Sequence, residues 1–264
     1  MHSTFSDGVL APDALVNLAV KRKVSAISLT DHDTVKGLDM LSAAARTAHV
    51  DWLPGVEISA HMGRELHILG YGFDRTDTTL LAALKRQRAA RIERVYAICE
   101  RLEYLGKVVY AGDILNDAKG NVGRPHIAKA LVQAGHCRTV AAAFELYLGS
   151  GKPAFVPAAT MTTHAVIGLI HNAGGIAVIA HPAVDKAIQD IPALVADGLD
   201  GIEVRHPGQS RKERTRLTAL AKVHKLVMTG GSDLHVPMGQ RTVGHFGVST
   251  HTVDAIRERC LRYQ

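Results

Sequence analysis

Residues 25–34 read SAISLTDHDT, and this stretch decides the fold. Its first six residues are a short apolar run carrying Ile27 and Leu29, which reads as a buried strand. The strand ends at once in Asp31-His32-Asp33, so charge and imidazole sit where the chain leaves it. The arrangement returns downstream. WLPGVEIS (52–59) and ELHILGYG (65–72) are strand-like, each with a charged residue or histidine near one end. GIAVIAHP (175–182), LDGIEVRHP (199–207) and KLVMTGGSDLH (225–235) repeat it.

Helical patterns separate these runs. PDALVNLAVKRK (12–23) places Leu15, Leu18 and Ala19 on one face, with Pro12 at an early helical position. A second helix follows through Leu38, Leu41 and Ala45, and residues 161–172 and Ile191–Ala196 read as helices ahead of later strands. Strand and helix in alternation predict an α/β fold, in which loops leaving the strands converge on one face. The motifs at Asp31–Asp33, Glu57, His181, His206, Asp233 and His235 fall at or just after a strand's C-terminal end. A barrel with one convergent site is the expectation.

Between 76 and 156 the strand rhythm stops. Leu81, Leu84, Ile92, Val95, Leu102 and Leu105 recur at helical spacing and predict one long amphipathic helix. GRPHIAKALVQAG (123–135) and TVAAAFELYLGSG (139–151) predict two more, each closed by a glycine. Residues 76–156 therefore read as a helical insertion over the C-terminal face of a barrel formed by 1–75 and 157–264. The basic run KRQRAARIERV (85–95) is interleaved with Glu93, then Glu100 and Glu103. It reads as the solvated face of the long helix rather than a nucleic-acid stripe.

The 264 residues are 47% apolar, enough for a sizeable core, and only 5% aromatic, which suits helices on parallel strands better than a β-sandwich. A net charge of +6 favours an anionic partner without separating nucleic acid from a phosphorylated metabolite. Cys99, Cys137 and Cys260 form no CxxC pair and no disulfide framework, as in a reducing cytoplasm. The N-terminus lacks the basic and apolar regions of a signal peptide, and no run approaches the ~20 apolar residues of a membrane span. A soluble cytoplasmic protein with no membrane and no obligate protein partner is expected.

Fifteen histidines are the outlying number, pointing to metal ligation or proton transfer. His2, Asp7, His32, Glu57, His67, His181, Asp233 and His235 form a mixed imidazole–carboxylate set, the ligand chemistry of zinc, manganese and iron sites. Singly, such tripeptides cap helices and make turns, and a lone His67 or His181 is a hydrogen-bonded core histidine. Jointly, in register with the strand ends, they point to a metal centre.

In order, H-S-x-x-S-D-G (2–8), L-T-D-H-D-T (29–34), G-V-E-I-S (55–59), H-I-L-G-Y (67–71), G-R-P-H (123–126), A-H-P (180–182) and G-S-D-x-H (231–235) resemble the PHP (polymerase and histidinol phosphatase) family of phosphoesterases. The resemblance runs from His2 to His235 and implies a distorted (β/α)7 TIM-like barrel with three divalent ions, manganese first, iron or zinc as alternatives. The first ion would be held by His2, Glu57 and Asp233. Glu57 would bridge to the second, with His67 and His181, and Asp7, His32 and His235 would hold the third. The family's first motif is H-x-H. Only its second histidine is present, at His2, with Met1 in the x position, so a truncated first strand is expected.

The insertion carrying GRPHIAKAL and YLGSGKPAFVP resembles a branch of 3′,5′-nucleotide bisphosphate phosphatases that are also 5′→3′ exoribonucleases on short RNA. The expected reaction removes the 3′-phosphate from substrates such as adenosine 3′,5′-bisphosphate. A hydroxide bridging two ions on Glu57 would attack phosphorus. Arg124, His126, Lys152 and His206 would bind substrate, with His206 or His126 protonating the leaving alkoxide. Two other readings are a histidinol-phosphate phosphatase, against which the insertion argues, and a metal-poor, non-catalytic nucleotide-binding remnant lacking the first histidine.

Overall fold

The computed structural model describes residues 1–118, 120–239 and 241–264. Pro12 opens α1 (Pro12–Lys21), where its missing N–H is no loss. The stretch at 25–34 forms β1 (Ala26–Leu29), followed by α2 (Leu38–Thr47) and the hairpin of β2 (Asp51–His61) and β3 (Glu65–Tyr71). Next come the helices α3 (Thr78–Tyr104), α4 (Ala111–Asp117), α5 (Arg124–Gln133) and α6 (Val140–Ala143), the last running into a π-helical turn at 144–148. The chain returns through β4 (Met161–Thr162), α7 (Thr163–Asn172), β5 (Ile176–Ile179), α8 (Ile191–Ala196), β6 (Gly201–Arg205), α9 (Arg211–Val223), β7 (Val227–Gly230) and α10 (Thr250–Cys260).

The strands form one curled sheet in the order β1-β2-β3-β5-β6-β7, with β4 added to the end of β2. Every pairing is parallel except those of β3, which runs antiparallel to both β2 and β5. This reversal matters for the site. It brings the start of β3, and with it His67, to the sheet edge where β1, β5, β6 and β7 end. Segment 161–172 departs from the helix expected there. Met161 and Thr162 pair with Ala60 and His61, and only then does the Thr162 side chain accept the Ala165 N–H and start α7. Gly135 closes α5 in the left-handed conformation (φ +74°). Gly149 is extended (φ −65°, ψ 162°), so the helix ahead of it ends without that cap.

Among the described residues three apolar clusters result, the smallest joining Leu69, Tyr71 and Val178 to Ile256 of α10. Val56, Ile58, Leu66, Ile68, Ile179 and Ile202 from the sheet pack with Leu15, Leu41, Ile167 and Ile170 of α1, α2 and α7. Val95, Ile98, Leu102, Ile114, Ile127 and Leu131 form a second core among α3, α4 and α5. Helix α3 belongs to the two larger clusters, giving Leu80, Ala83 and Leu84 to the first and Val95 onward to the second.

Among the described residues no pairing joins β1 to β7. There Met1 and His2 reach both edges: Met1 O accepts from Thr30 N (3.0 Å), and His2 N donates to Leu234 O (2.8 Å). A cavity of about 490 Å³ lies along this seam, lined by Ile27, Leu53, Thr229 and Val253 and extending to Glu57 and His181. No described helix is long and apolar enough to cross a membrane.

Candidate metal centre

The N-terminal octapeptide MHSTFSDG is tied down. Ser3 N, Ser3 Oγ and Ser6 Oγ all donate to the Asp31 carboxylate, at 2.6, 2.7 and 2.6 Å. The first aspartate of the Asp31-His32-Asp33 motif is therefore a buckle on the N-terminal loop. Gly8 is required because a Cβ there would lie 2.2 Å from His2 O. Beyond β1, Asp33 N donates to Glu57 O (2.8 Å) and Glu57 N to Asp31 O (3.2 Å), which sets His32 beside Glu57. Glu57 itself sits within β2, at the level where β1 has ended, rather than after a strand end as the sequence reading had it. Asp33, His181 and Asp233 hold left-handed backbone (φ 48°, 27° and 44°). Such strain at non-glycine residues concentrates at functional sites.

All eight sequence-derived ligands meet. Glu57 is central, with Oε2 3.1 Å from His2 Nε2 and Oε1 3.3 Å from both His67 Nδ1 and His181 Nε2. Asp233 Oδ1 lies 3.1 Å from His2 Nε2 and 3.6 Å from His235 Nδ1. Asp7 is 3.2 Å from His235 Nε2 and 3.9 Å from His32 Nε2. The rings of His2 and His235 stack with centroids 4.1 Å apart.

Among the described residues, candidate ligand atoms gather within 4.8 Å of one another in four sets. His2, Glu57 and Asp233 form one, matching the first expected site. Asp7, His32 and His235 are joined by His2, while His67 groups with His32 and Glu57. His181 groups with His67 and Asp185, a carboxylate that the sequence reading missed. Asp185 Oδ2 is 3.1 Å from His181 Nδ1, and its spacing four residues after that histidine was the available signal.

Buried polar atoms are normally hydrogen-bonded. Here His2 Nε2, Asp7 Oδ1, His32 Nδ1, His67 Nδ1, His181 Nδ1 and Asp185 Oδ2 are buried without a well-aligned hydrogen bond, although several face a carboxylate or imidazole at 3.1–3.3 Å. Unpartnered imidazole and carboxylate atoms converging in this way fit divalent metal ions. The electrostatics agree. Burial opposes ionisation of Glu57 and Asp233, yet the facing imidazoles outweigh it and hold both well below the usual carboxylate range. Burial likewise opposes charge on His2, but Asp233 and Glu57 push it up to about 10. At His32 burial wins over Glu57 and Asp7, and the imidazole is held down to about 3.

The other wall corrects the reading of 85–95. Lys85, Arg86 and Glu93 are exposed, but Gln87, Arg88, Arg91 and Arg94 turn inward. Arg91 Nε donates to Asp33 Oδ2 (2.6 Å) and its Nη2 to Ser59 Oγ (2.7 Å). Arg88 donates to Asn121 Oδ1 (2.6 Å), and Asn121 Nδ2 donates to His32 O. Arg94 and Arg124 both donate to Glu65. Burial would raise the Glu65 carboxyl, but these two arginines bring it down to about 2. The reason is helical geometry: residues three and four apart share a face. Since α3 lies between two cores, that face points into the protein.

The expected substrate residues fall differently. Arg124 lies over Phe144 and Phe155 with its guanidinium on Glu65. His126 Nδ1 accepts from Gly123 N (3.1 Å) and His206 Nδ1 from Gly208 N (3.0 Å), so the neutral form of each carries its proton on Nε2. His206 Nε2 is 3.5 Å from Asp233 Oδ2. Lys152 is exposed in the turn after the π-helical segment, and among the described residues no hydrogen bond or ion pair ties its side chain to the cluster. A second missed carboxylate, Glu203, is buried and accepts the His181 N–H (3.0 Å). Its pKa is raised by burial.

Fold and cluster together define an α/β protein that gathers metal-ligating side chains at one edge of a curled sheet. Comparison with known proteins sharpens this. The family model for the PHP domain matches residues 1–188, and the chain belongs to that family. It is 40% identical over 252 residues to a 5′-3′ exoribonuclease of Haemophilus influenzae, covering 92% of this chain and 91% of that protein. It is 35% identical over 256 residues to a 3′,5′-nucleoside bisphosphate phosphatase of Chromobacterium violaceum, covering 92% and 89%. A solved Bifidobacterium adolescentis protein, described as a candidate metal-dependent phosphoesterase, superposes with a TM-score of 0.88 at 33% identity over 98% of this chain and 94% of its own.

Proposed function

We propose that the chain is a metal-dependent phosphohydrolase that removes the 3′-phosphate of nucleoside 3′,5′-bisphosphates and trims short RNA from its 5′ end. The observation that carries this reading is the buried cluster of unpartnered imidazole and carboxylate atoms, in a chain whose relatives bear these two activities. Three ions are proposed, manganese first: one on His2, Glu57 and Asp233, one on Glu57, His67 and His181, and one on Asp7, His32 and His235. Asp185 is a further donor beside His181. Bound divalent ions would neutralise phosphate oxygens and supply an activated water at neutral pH.

The protein's own groups do the rest. Arg124 exchanges Glu65 for a substrate phosphate, which its planar guanidinium grips through two parallel hydrogen bonds. As the P–O3′ bond breaks and water oxygen bonds to phosphorus, the leaving oxygen takes a proton. The Nε2–H of His206 or His126 is the candidate donor. Residues 76–156 act as an insertion over this site, on a distorted (β/α)7 barrel. The relatives do not favour histidinol phosphate as substrate.

The test is phosphate release from adenosine 3′,5′-bisphosphate with Mn²⁺. Release should be lost on chelation and in Asp233→Ala, and undiminished release in both would sink the metal mechanism. Metal analysis separates the remnant reading, which expects one ion or none per chain against about three for the enzyme.

A further inference from the structure

Between α4 and α5 lies a second cavity of about 260 Å³ that the reading above does not use. One wall is the α5 face carrying His126, Lys129, Ala130, Gln133 and Ala134, where small residues leave the space open. From His126 to Ala134 that face covers eight helical rises, about 12 Å. The floor is apolar, from Val109 and Ile114, and Tyr110 stands at the mouth with 70% of its surface exposed. Asp113 and Asp117 form one rim and Lys129 the other. His126 lines the cavity at the start of α5, and Asn121, five residues before it, donates to His32 O, so this end of the groove lies toward the metal centre.

We propose that this groove is the base-binding subsite for the nucleotide on the 3′ side of the scissile phosphate in single-stranded RNA. The proposal rests on the exoribonuclease reading. A nucleobase offers a flat face for the Tyr110 ring, and such stacking tolerates any sequence. Carboxylates on the rim accept hydrogen bonds from exocyclic amines and repel phosphate, so the base enters and the backbone stays outside. Lys129 supplies the positive charge for that backbone on the rim opposite the two carboxylates. A 3′,5′-bisphosphate has one base and leaves the groove empty.

The experiment measures kcat and KM for wild type, Tyr110→Ala and Ala134→Phe on adenosine 3′,5′-bisphosphate and on a 5′-phosphorylated RNA trinucleotide. Ala134→Phe fills the groove from an exposed position, and melting curves establish that both variants fold. The expected result is a KM for the trinucleotide raised about ten-fold in both variants with kcat kept, and unchanged constants for the bisphosphate. Equal losses on both substrates, or none on either, overturn the subsite. If wild type hydrolyses neither substrate, the proposed function fails separately. Fluorescence anisotropy of a labelled trinucleotide then decides the groove: weaker binding by Tyr110→Ala supports it, and unchanged binding or none by wild type overturns it.

Discussion

The two walls of the site are built from opposite kinds of sequence information. On the sheet side, the candidate ligands arrive one or two at a time in separate short motifs on or beside the strands, from His2 to His235. On the helix side, Arg88, Arg91 and Arg94 come from one continuous run whose outer half is ordinary solvated surface. The sheet side is specified by residue type, because metal ligation draws on a short list of side chains, of which this site uses imidazoles and carboxylates. The helix side is specified by orientation. An arginine at position 91 and one at position 86 look alike in sequence, yet the first pairs with a buried aspartate and the second faces water.

Breaking the sheet wall should cost most. Glu57→Gln, near-isosteric but uncharged, should lower kcat/KM by at least about 10³-fold, since members of one catalytic unit fail together. Elemental analysis should show metal lost in parallel, whereas retained activity would dismantle the central role of Glu57. Breaking the helix wall should cost less but in two currencies. Arg91→Ala leaves the fully buried Asp33 carboxylate unpaired, a loss of about 3–5 kcal/mol in denaturant unfolding. It should also cut activity about 10–100-fold by releasing the segment that bears His32. Arg91→Lys should recover only part, lacking the planar fork. An unaltered melting curve for Arg91→Ala would return the run 85–95 to the surface.

A third region sharpens the contrast because it is buried and charged yet remote from chemistry. Asp200 accepts from Arg259 Nε (3.0 Å), Tyr263 OH (3.0 Å) and Ala177 N (3.0 Å), and lies 2.8 Å from His171 Nε2. Burial would raise its pKa, but His171, the Ala177 N–H and Arg259 together lower it. A depressed folded-state pKa gives stability that is present above the unfolded value of about 3.9 and is lost as pH falls through the folded value. Asp200→Asn should therefore cost about 1–3 kcal/mol at neutral pH and flatten the acid limb of the stability profile, with kcat unchanged. A steeper acid limb in the variant would contradict this. Smallest of all, Lys85→Ala and Arg86→Ala on the outer face of α3 should stay within about ±0.5 kcal/mol of wild type and leave activity intact.

How much could be read in advance follows the same division. The strand at 26–29, the long helix and the set of eight imidazole and carboxylate side chains that gather were legible, because buried strands and candidate metal ligands each demand particular residue types. The reversal of β3 was not: His67 near a strand's start reads the same in either direction until pairing is known. Asp185 was passed over because a single carboxylate after A-H-P is ordinary turn chemistry. The inward face of α3 depended on the second core around Ile98 and Ile127, which forms only when α5 packs against it. The role of Lys152 is not legible in its position: it is exposed, and among the described residues no hydrogen bond or ion pair ties its side chain to the cluster.

The most direct measurement is anomalous diffraction from crystals of the protein grown with Mn²⁺. Peaks are expected at three positions, within ligand distance of His2, Glu57 and Asp233, of Glu57, His67 and His181, and of Asp7, His32 and His235. Crystals that show no anomalous peak among these residues, or manganese bound only elsewhere, would contradict it.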